Sequence, residues 1–133
     1  MGAVVLDANL VIAAAEPRDA LHGSALTTLR SARLAGDEFI LPASVLAEVL
    51  VRAYRVGDDV GAANERDLVG LFGPVRVIDR DVVTATAQLR ARHRALRLAD
   101  AFVIATGLVD RATTLTYDRR LASVHPSVRV LAP

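Results

Sequence analysis

The stretch Ala3-Val4-Val5-Leu6-Asp7-Ala8-Asn9-Leu10-Val11-Ile12-Ala13-Ala14-Ala15-Glu16 decides the fold class. Val4 to Leu6 is a short apolar run that ends in an acid, and it reads as a buried strand. Asn9 to Glu16 reads as a helix, and Pro17 stops it. A strand that hands over directly to a helix opens a βαβ unit. A parallel sheet follows if the rest of the chain keeps that alternation.

It does. Asp19 to Ala35 predicts an amphipathic helix with Leu21, Ala25, Leu29 and Ala32 on its apolar stripe, and Gly36 ends it. Glu38 to Leu41 predicts a second strand, with Pro42 at a helix start. Ala43 to Val56 predicts a helix with Val45, Val49, Ala53 and Val56 inward, and Gly57 closes it. Another helix is predicted over Asp58 to Phe72, before Gly73-Pro74 breaks the chain. Val75 to Ile78 is a predicted strand, and Arg80 to Leu96 a helix with Val82, Ala85 and Leu89 inward. Asp100 to Val109 is apolar nearly all round, as a buried helix is. Thr113 to Thr116 and Val128 to Leu131 complete the strands. The expectation is one three-layer α/β domain over residues 1–133. Such open sheets bind ligands beyond the carboxyl ends of their strands, where the strand order reverses.

Composition narrows the chemistry. Hydrophobic residues make up 53% and charged residues 23%, which fits a compact globular protein rather than a disordered one. The chain has no cysteine, which excludes disulfides and thiolate metal sites. All 16 basic residues are arginine. Without lysine, neither a P-loop nor Schiff-base catalysis is possible. No apolar run approaches the ~18 residues of a membrane span, and no basic leader precedes the first strand. A cytoplasmic protein is expected.

Four carboxylates stand out by position. Asp7 ends the first strand, and Glu48 interrupts the apolar run Val45-Leu46-Ala47-Glu48-Val49-Leu50-Val51. Asp100 opens the most hydrophobic helix, and Asp118 follows the strand that ends at Thr116. Each has a structural alternative. Asp7, Asp100 and Asp118 sit where aspartate caps a helix, and Glu48 could pair with Arg52 one turn on. As a set they suggest more. Glu48 falls beside the apolar stripe, so its carboxylate borders the core and needs a partner. Two unit charges about 4 Å apart repel by roughly 4 kcal/mol at an effective dielectric of 20. A divalent cation relieves that repulsion. Oxygen-only ligands select hard ions such as Mg²⁺ or Mn²⁺, and the chemistry of such a site suits phosphodiester hydrolysis.

Four segments carry a family resemblance: Val5-Leu6-Asp7-Ala8-Asn9 with Leu10-Val11-Ile12; Leu41-Pro42-Ala43-Ser44-Val45-Leu46-Ala47-Glu48-Val49; Leu98-Ala99-Asp100-Ala101; and Leu115-Thr116-Tyr117-Asp118. In order, spacing and total length the chain resembles PIN-domain ribonucleases, and more closely the VapC toxins of bacterial toxin–antitoxin pairs. The resemblance implies a parallel five-stranded sheet flanked by helices. It implies a Mg²⁺ site, which Mn²⁺ can also fill, for cutting single-stranded RNA. Asp7, Glu48, Asp100 and Asp118 match its metal ligands and catalytic carboxylates. Asn9 and Thr116 match positions that support the site by hydrogen bonding. A homodimer and a VapB-like antitoxin partner are implied as well. Leu121 departs from the pattern, since many relatives carry an aromatic there.

Other residues invite competing readings. His93 suits a packed position better than a general base, because metal-activated water needs no histidine. His22 and His125 read as surface residues. Arg90, Arg94 and Arg97 share one face and could guide an RNA backbone, and Arg97, Arg119 and Arg120 are candidates for RNA phosphate contact. Leu6-Asp7-Ala8-Asn9 distantly resembles the nucleophile motif of haloacid-dehalogenase-like phosphatases. That family has a second aspartate where Asn9 stands and requires a lysine. The principal alternative is a non-catalytic PIN-like module that binds RNA or a protein.

Overall fold

The structure, a computed structural model, describes residues 2–133. The elements alternate as expected: β1 (Ala3–Leu6), α1 (Ala8–Ala15), α2 (His22–Leu34), β2 (Glu38–Pro42), α3 (Ala43–Val56), α4 (Asp58–Phe72), β3 (Val75–Arg76), α5 (Arg80–Arg92), α6 (Leu98–Asp110), β4 (Thr113–Thr116), a 3₁₀ helix (Arg119–Ser123) and β5 (Val128–Val130). The strands form one sheet in the order β3-β2-β1-β4-β5, and every pairing is parallel. β1 pairs Leu6 with Leu115 on one side and Val5 with Ile40 on the other. The chain steps outward from β1 to β3, then returns to β4 on the opposite side of β1. Right-handed crossovers therefore put α1 to α4 on one face and α5 with α6 on the other, giving three layers. The reversal between β1 and β4 makes a crevice at their carboxyl ends, and Asp7 stands there.

The central strands are buried on both faces, which explains the unbroken apolar run of β1 but not the three threonines of β4. Val4, Val5 and Leu6 are all buried, as are Thr114, Leu115 and Thr116. The interior forms two bodies. The larger joins β1, α1, α2 and α3 through residues such as Leu6, Leu10, Leu29, Val45 and Leu50. The smaller joins α5, α6 and the 3₁₀ helix through Val82, Leu89, Ile104, Ala105 and Leu121. Leu121 fills the second body, so the missing aromatic leaves a packed aliphatic in its place. α6 lies so close to β4 that a Cβ on Gly107 would come 2.8 Å from Thr114 Oγ1.

Some expectations are corrected. β3 stops at Arg76 rather than Ile78, and Val77 is 63% exposed. At this sheet edge, side-chain bonds take over from the ladder. Arg76 grips both carboxylate oxygens of Asp110 at 2.8 and 3.0 Å and one oxygen of Asp79 at 3.0 Å, and Asp79 caps α5 through Val82 N. α5 ends at Arg92, with His93 as its C-cap. The chain then turns, and the Arg90 guanidinium donates to Leu96 O. Arg90, Arg94 and Arg97 therefore do not share a helix face. In α3 the buried side chains are Val45, Leu46 and Leu50, and Val56 is exposed. His22 and His125 are half-buried, not superficial. His22 Nδ1 bonds Ala13 O, and His125 Nδ1 bonds Ser127 Oγ.

Arg111, which closes α6, holds a left-handed conformation at φ 54°. Glycine has no Cβ to crowd there. Arg111→Gly should therefore stabilise the fold, by about 0.5–1 kcal/mol in a denaturant melt.

Candidate active site

Asp7 is the centre of the arrangement and is only 6% exposed. It follows β1 directly and caps α1, since its Oδ1 accepts from Ala8 N at 2.8 Å. Its Oδ2 accepts from the Thr116 hydroxyl at 2.6 Å and from Asn9 Nδ2 at 3.3 Å. Thr116 is fully buried at the end of β4. Its oxygen also accepts from Asn9 Nδ2 at 3.1 Å and from Asp118 N at 3.0 Å. The Asn9 side-chain oxygen Oδ1 accepts from Tyr117 N at 3.1 Å. Asn9 and Thr116 thus sew the end of β1 to the end of β4 around one carboxylate.

The other three carboxylates face this centre from separate elements. Asp118 leaves β4 and caps the 3₁₀ helix through Arg120 N. Asp100 lies inside the first turn of α6, whose cap position is Arg97, so Asp100 is not the helix's first residue. Glu48 projects from α3 and is exposed, and it makes no ion pair with Arg52 among the described residues. The electrostatics record their proximity. Burial pushes the Asp7 carboxyl above its ordinary range against two hydrogen bonds, and the charges of Asp100 and Asp118 add to the rise. Glu48, though exposed as a residue, is raised by partial desolvation of its carboxyl and then by Asp7 and Asp100.

Two of the carboxylates already have counter-ions. Arg120 forks onto Asp118 with Nη2 at 2.7 Å and Nε at 3.1 Å, and this holds the Asp118 carboxyl below its ordinary value. Arg97 Nε meets Asp100 Oδ2 at 3.2 Å. Sequence reasoning assigned both arginines to RNA phosphate and missed these pairs, although the short spacings (three and two residues) were a signal. Among the described residues, no three acidic or histidine side chains stand close enough to cage an ion as they are placed. The donor set itself is all oxygen and is crowded with negative charge around a buried carboxylate. That is the chemistry a hard divalent cation fits.

The sequence matches the PIN domain family over residues 4–125. The chain belongs to the PIN domain family. Solved PIN-fold structures share its architecture from end to end. A toxin–antitoxin complex from Klebsiella pneumoniae has a chain 21% identical, with 96% of each chain covered and a TM-score of 0.74. VapBC2 from Rickettsia felis, bound to a promoter DNA fragment, gives 12% identity, 98% and 99% coverage and a TM-score of 0.78. VapC20 from Mycobacterium tuberculosis, described as a toxin that cleaves the sarcin–ricin loop, gives 18% identity, 90% and 93% coverage and a TM-score of 0.67. At these identities the likeness is one of fold. No curated protein matches the sequence. No helix among the described residues of this PIN domain is long and apolar enough to cross a membrane.

Proposed function

We propose that this PIN domain is a divalent-metal-dependent endoribonuclease that cuts single-stranded RNA, as the toxin of a toxin–antitoxin pair. One observation carries the reading. A buried carboxylate at the switch point of the sheet is held by Asn9 and Thr116 among three further carboxylates. Asp7, Glu48, Asp100 and Asp118 would hold Mg²⁺, or Mn²⁺ in its place, directly or through water. When bound, the ion supplies an activated water and neutralises charge at the phosphodiester. Asp7 needs no large movement to meet a metal, because three donors already fix it. Asp100 could meet the ion through Oδ1, which Arg97 leaves free, whereas Asp118 has both oxygens on Arg120 and would share or release that guanidinium, freeing it for a substrate phosphate. Arg119, exposed next to Asp118, is a further phosphate contact.

The toxin role rests on the likeness to chains solved as toxin–antitoxin complexes. We place a VapB-like antitoxin in the groove lined by Ile12, Val49 and Val56, which has Glu48 on its wall. A cytoplasmic, homodimeric, single-domain protein completes the proposal.

The experiment is cleavage of mixed single-stranded RNA with Mg²⁺, with Mn²⁺ and with EDTA. Metal-dependent cutting supports the proposal. A non-catalytic RNA- or protein-binding module is the second reading, favoured by the arginines that already neutralise Asp100 and Asp118. Thermal melting separates the two. Mn²⁺ at 100 times its Kd stabilises a protein by about 2.7 kcal/mol, which raises the melting temperature here by roughly 10 °C. No shift at millimolar Mn²⁺ would leave the carboxylates as caps and ion-pair partners.

A further inference from the structure

Beside the carboxylates lies a pocket of about 330 Å³, between the turn that follows α5 and the 3₁₀ helix. Asp100 forms one edge of it, so whatever fills the pocket touches the candidate active site. Its rim is cationic. Arg97 and Arg120 reach it while held by Asp100 and Asp118, and Arg94 makes no side-chain hydrogen bond among the described residues. Its inner wall is apolar, formed by Leu96 and Leu121, which are buried in the second core body, and by Val124. His93 and Ser123 add polar atoms to the lining.

This combination selects a ligand class. Guanidiniums with free donors bind phosphate oxygens. An apolar wall suits a flat ring, and Arg planes also stack on bases. Donors and acceptors between the two suit the edge of a base. The volume lies at the small end of ligand pockets, about 300–1,000 Å³, and so holds one unit of a polymer rather than several. We propose that this pocket takes one nucleotide of the RNA strand, the one adjoining the phosphodiester at the carboxylates, with its phosphate on Arg94 and its base against the Leu96–Val124 wall. The assignment rests on the ribonuclease reading. It supplies a source of base preference in a chain that has no run of exposed aromatics for stacking.

The test measures binding of nucleoside 5′-monophosphates to the full chain in EDTA, followed by backbone amide shifts. Inorganic phosphate and a short aspartate-rich peptide are the comparison probes. Nucleotides should shift the amides of His93, Arg94 and Ser123. Arg94→Ala should weaken binding by about tenfold, the loss of one charge-assisted contact. Arg94 and Ser123 are exposed, so Arg94→Ala and the pocket-filling Ser123→Trp should both keep the wild-type melting temperature. With Mn²⁺ and RNA, both variants should raise KM and change which bonds are cut, with kcat little altered. Inorganic phosphate binding as tightly as the nucleotides would overturn the base site, and unchanged cleavage patterns in both variants would do the same. Peptide binding without nucleotide binding would reassign the pocket to a protein partner. Nucleotide binding without any RNA cleavage would retire the ribonuclease reading and leave the pocket standing. Cleavage without nucleotide binding here would do the reverse.

Discussion

Asp7→Asn should reduce RNA cleavage by more than about a hundredfold while the chain stays folded. Mutating groups that merely orient a metal ligand typically costs 10–100-fold, and a direct ligand carries more than its supporters. The fold survives because the asparagine oxygen can still cap α1 through Ala8 N, the contact that Asp7 Oδ1 makes. The same variant has a distinctive pH signature. The folded Asp7 carboxyl lies above its ordinary value of 3.8, chiefly through burial. A carboxyl raised in this way binds its proton more tightly folded than unfolded. Its stabilising contribution is complete below the unfolded value and is lost as pH rises through the folded one. In EDTA, wild type should therefore lose stability relative to Asp7→Asn as pH climbs from about 4 towards 7. Thermal melts of both proteins across that range measure it. A difference that stays flat with pH would mean that Asp7 carries no uncompensated buried charge.

Thr116→Val should cost the fold about 3 kcal/mol and weaken cleavage as well. Valine keeps the shape and removes the hydroxyl. Three groups lose a partner at once: the Asp7 carboxylate, the Asn9 amide and the Asp118 backbone N–H. A buried polar group left without a partner costs about 1–3 kcal/mol, more for a charge, and members of one network do not add simply. Thr116→Ser keeps the hydroxyl and should recover most of both losses. Urea unfolding beside a cleavage assay reads the two effects. Equal stability of Thr116→Val and wild type would show that the network contributes little.

Much of this architecture was legible because it depends on local pattern. The doubly buried β1 announces itself as an apolar run ended by an acid, and the alternation of strand and helix implies a parallel sheet. The positions of Asp7 and Asp118 follow from strand ends alone. What stayed hidden depends on contacts across the fold. Nothing between Arg92 and Leu96 is glycine or proline, so a helix read from pattern runs on. In the fold α5 ends at Arg92, and beyond it the Arg90 guanidinium, rather than a backbone N–H of a continuing helix, meets Leu96 O. β3 ends at Arg76, whose side chain is held by Asp110, 34 residues away. The inward face of α3 is turned because Leu46 and Leu50 meet neighbours whose positions the heptad-like spacing does not encode. The partners of Arg97 and Arg120 were a choice between carboxylate and phosphate, and a sequence shows only that both are near.

The two interior bodies give the candidate site a mechanical character. Asp7 and Glu48 stand on elements anchored in the larger body, whereas Asp118 lies between Leu115 and Tyr117 of the larger body and Leu121 of the smaller one. Asp100 sits on α6, which sends Val103 into one body and Ala101 and Ile104 into the other. A ligand held by all four carboxylates therefore spans a seam in the packing, as a rivet joins two plates. For the proposed ion, tightness of binding and the packing between the two bodies would be one linked property.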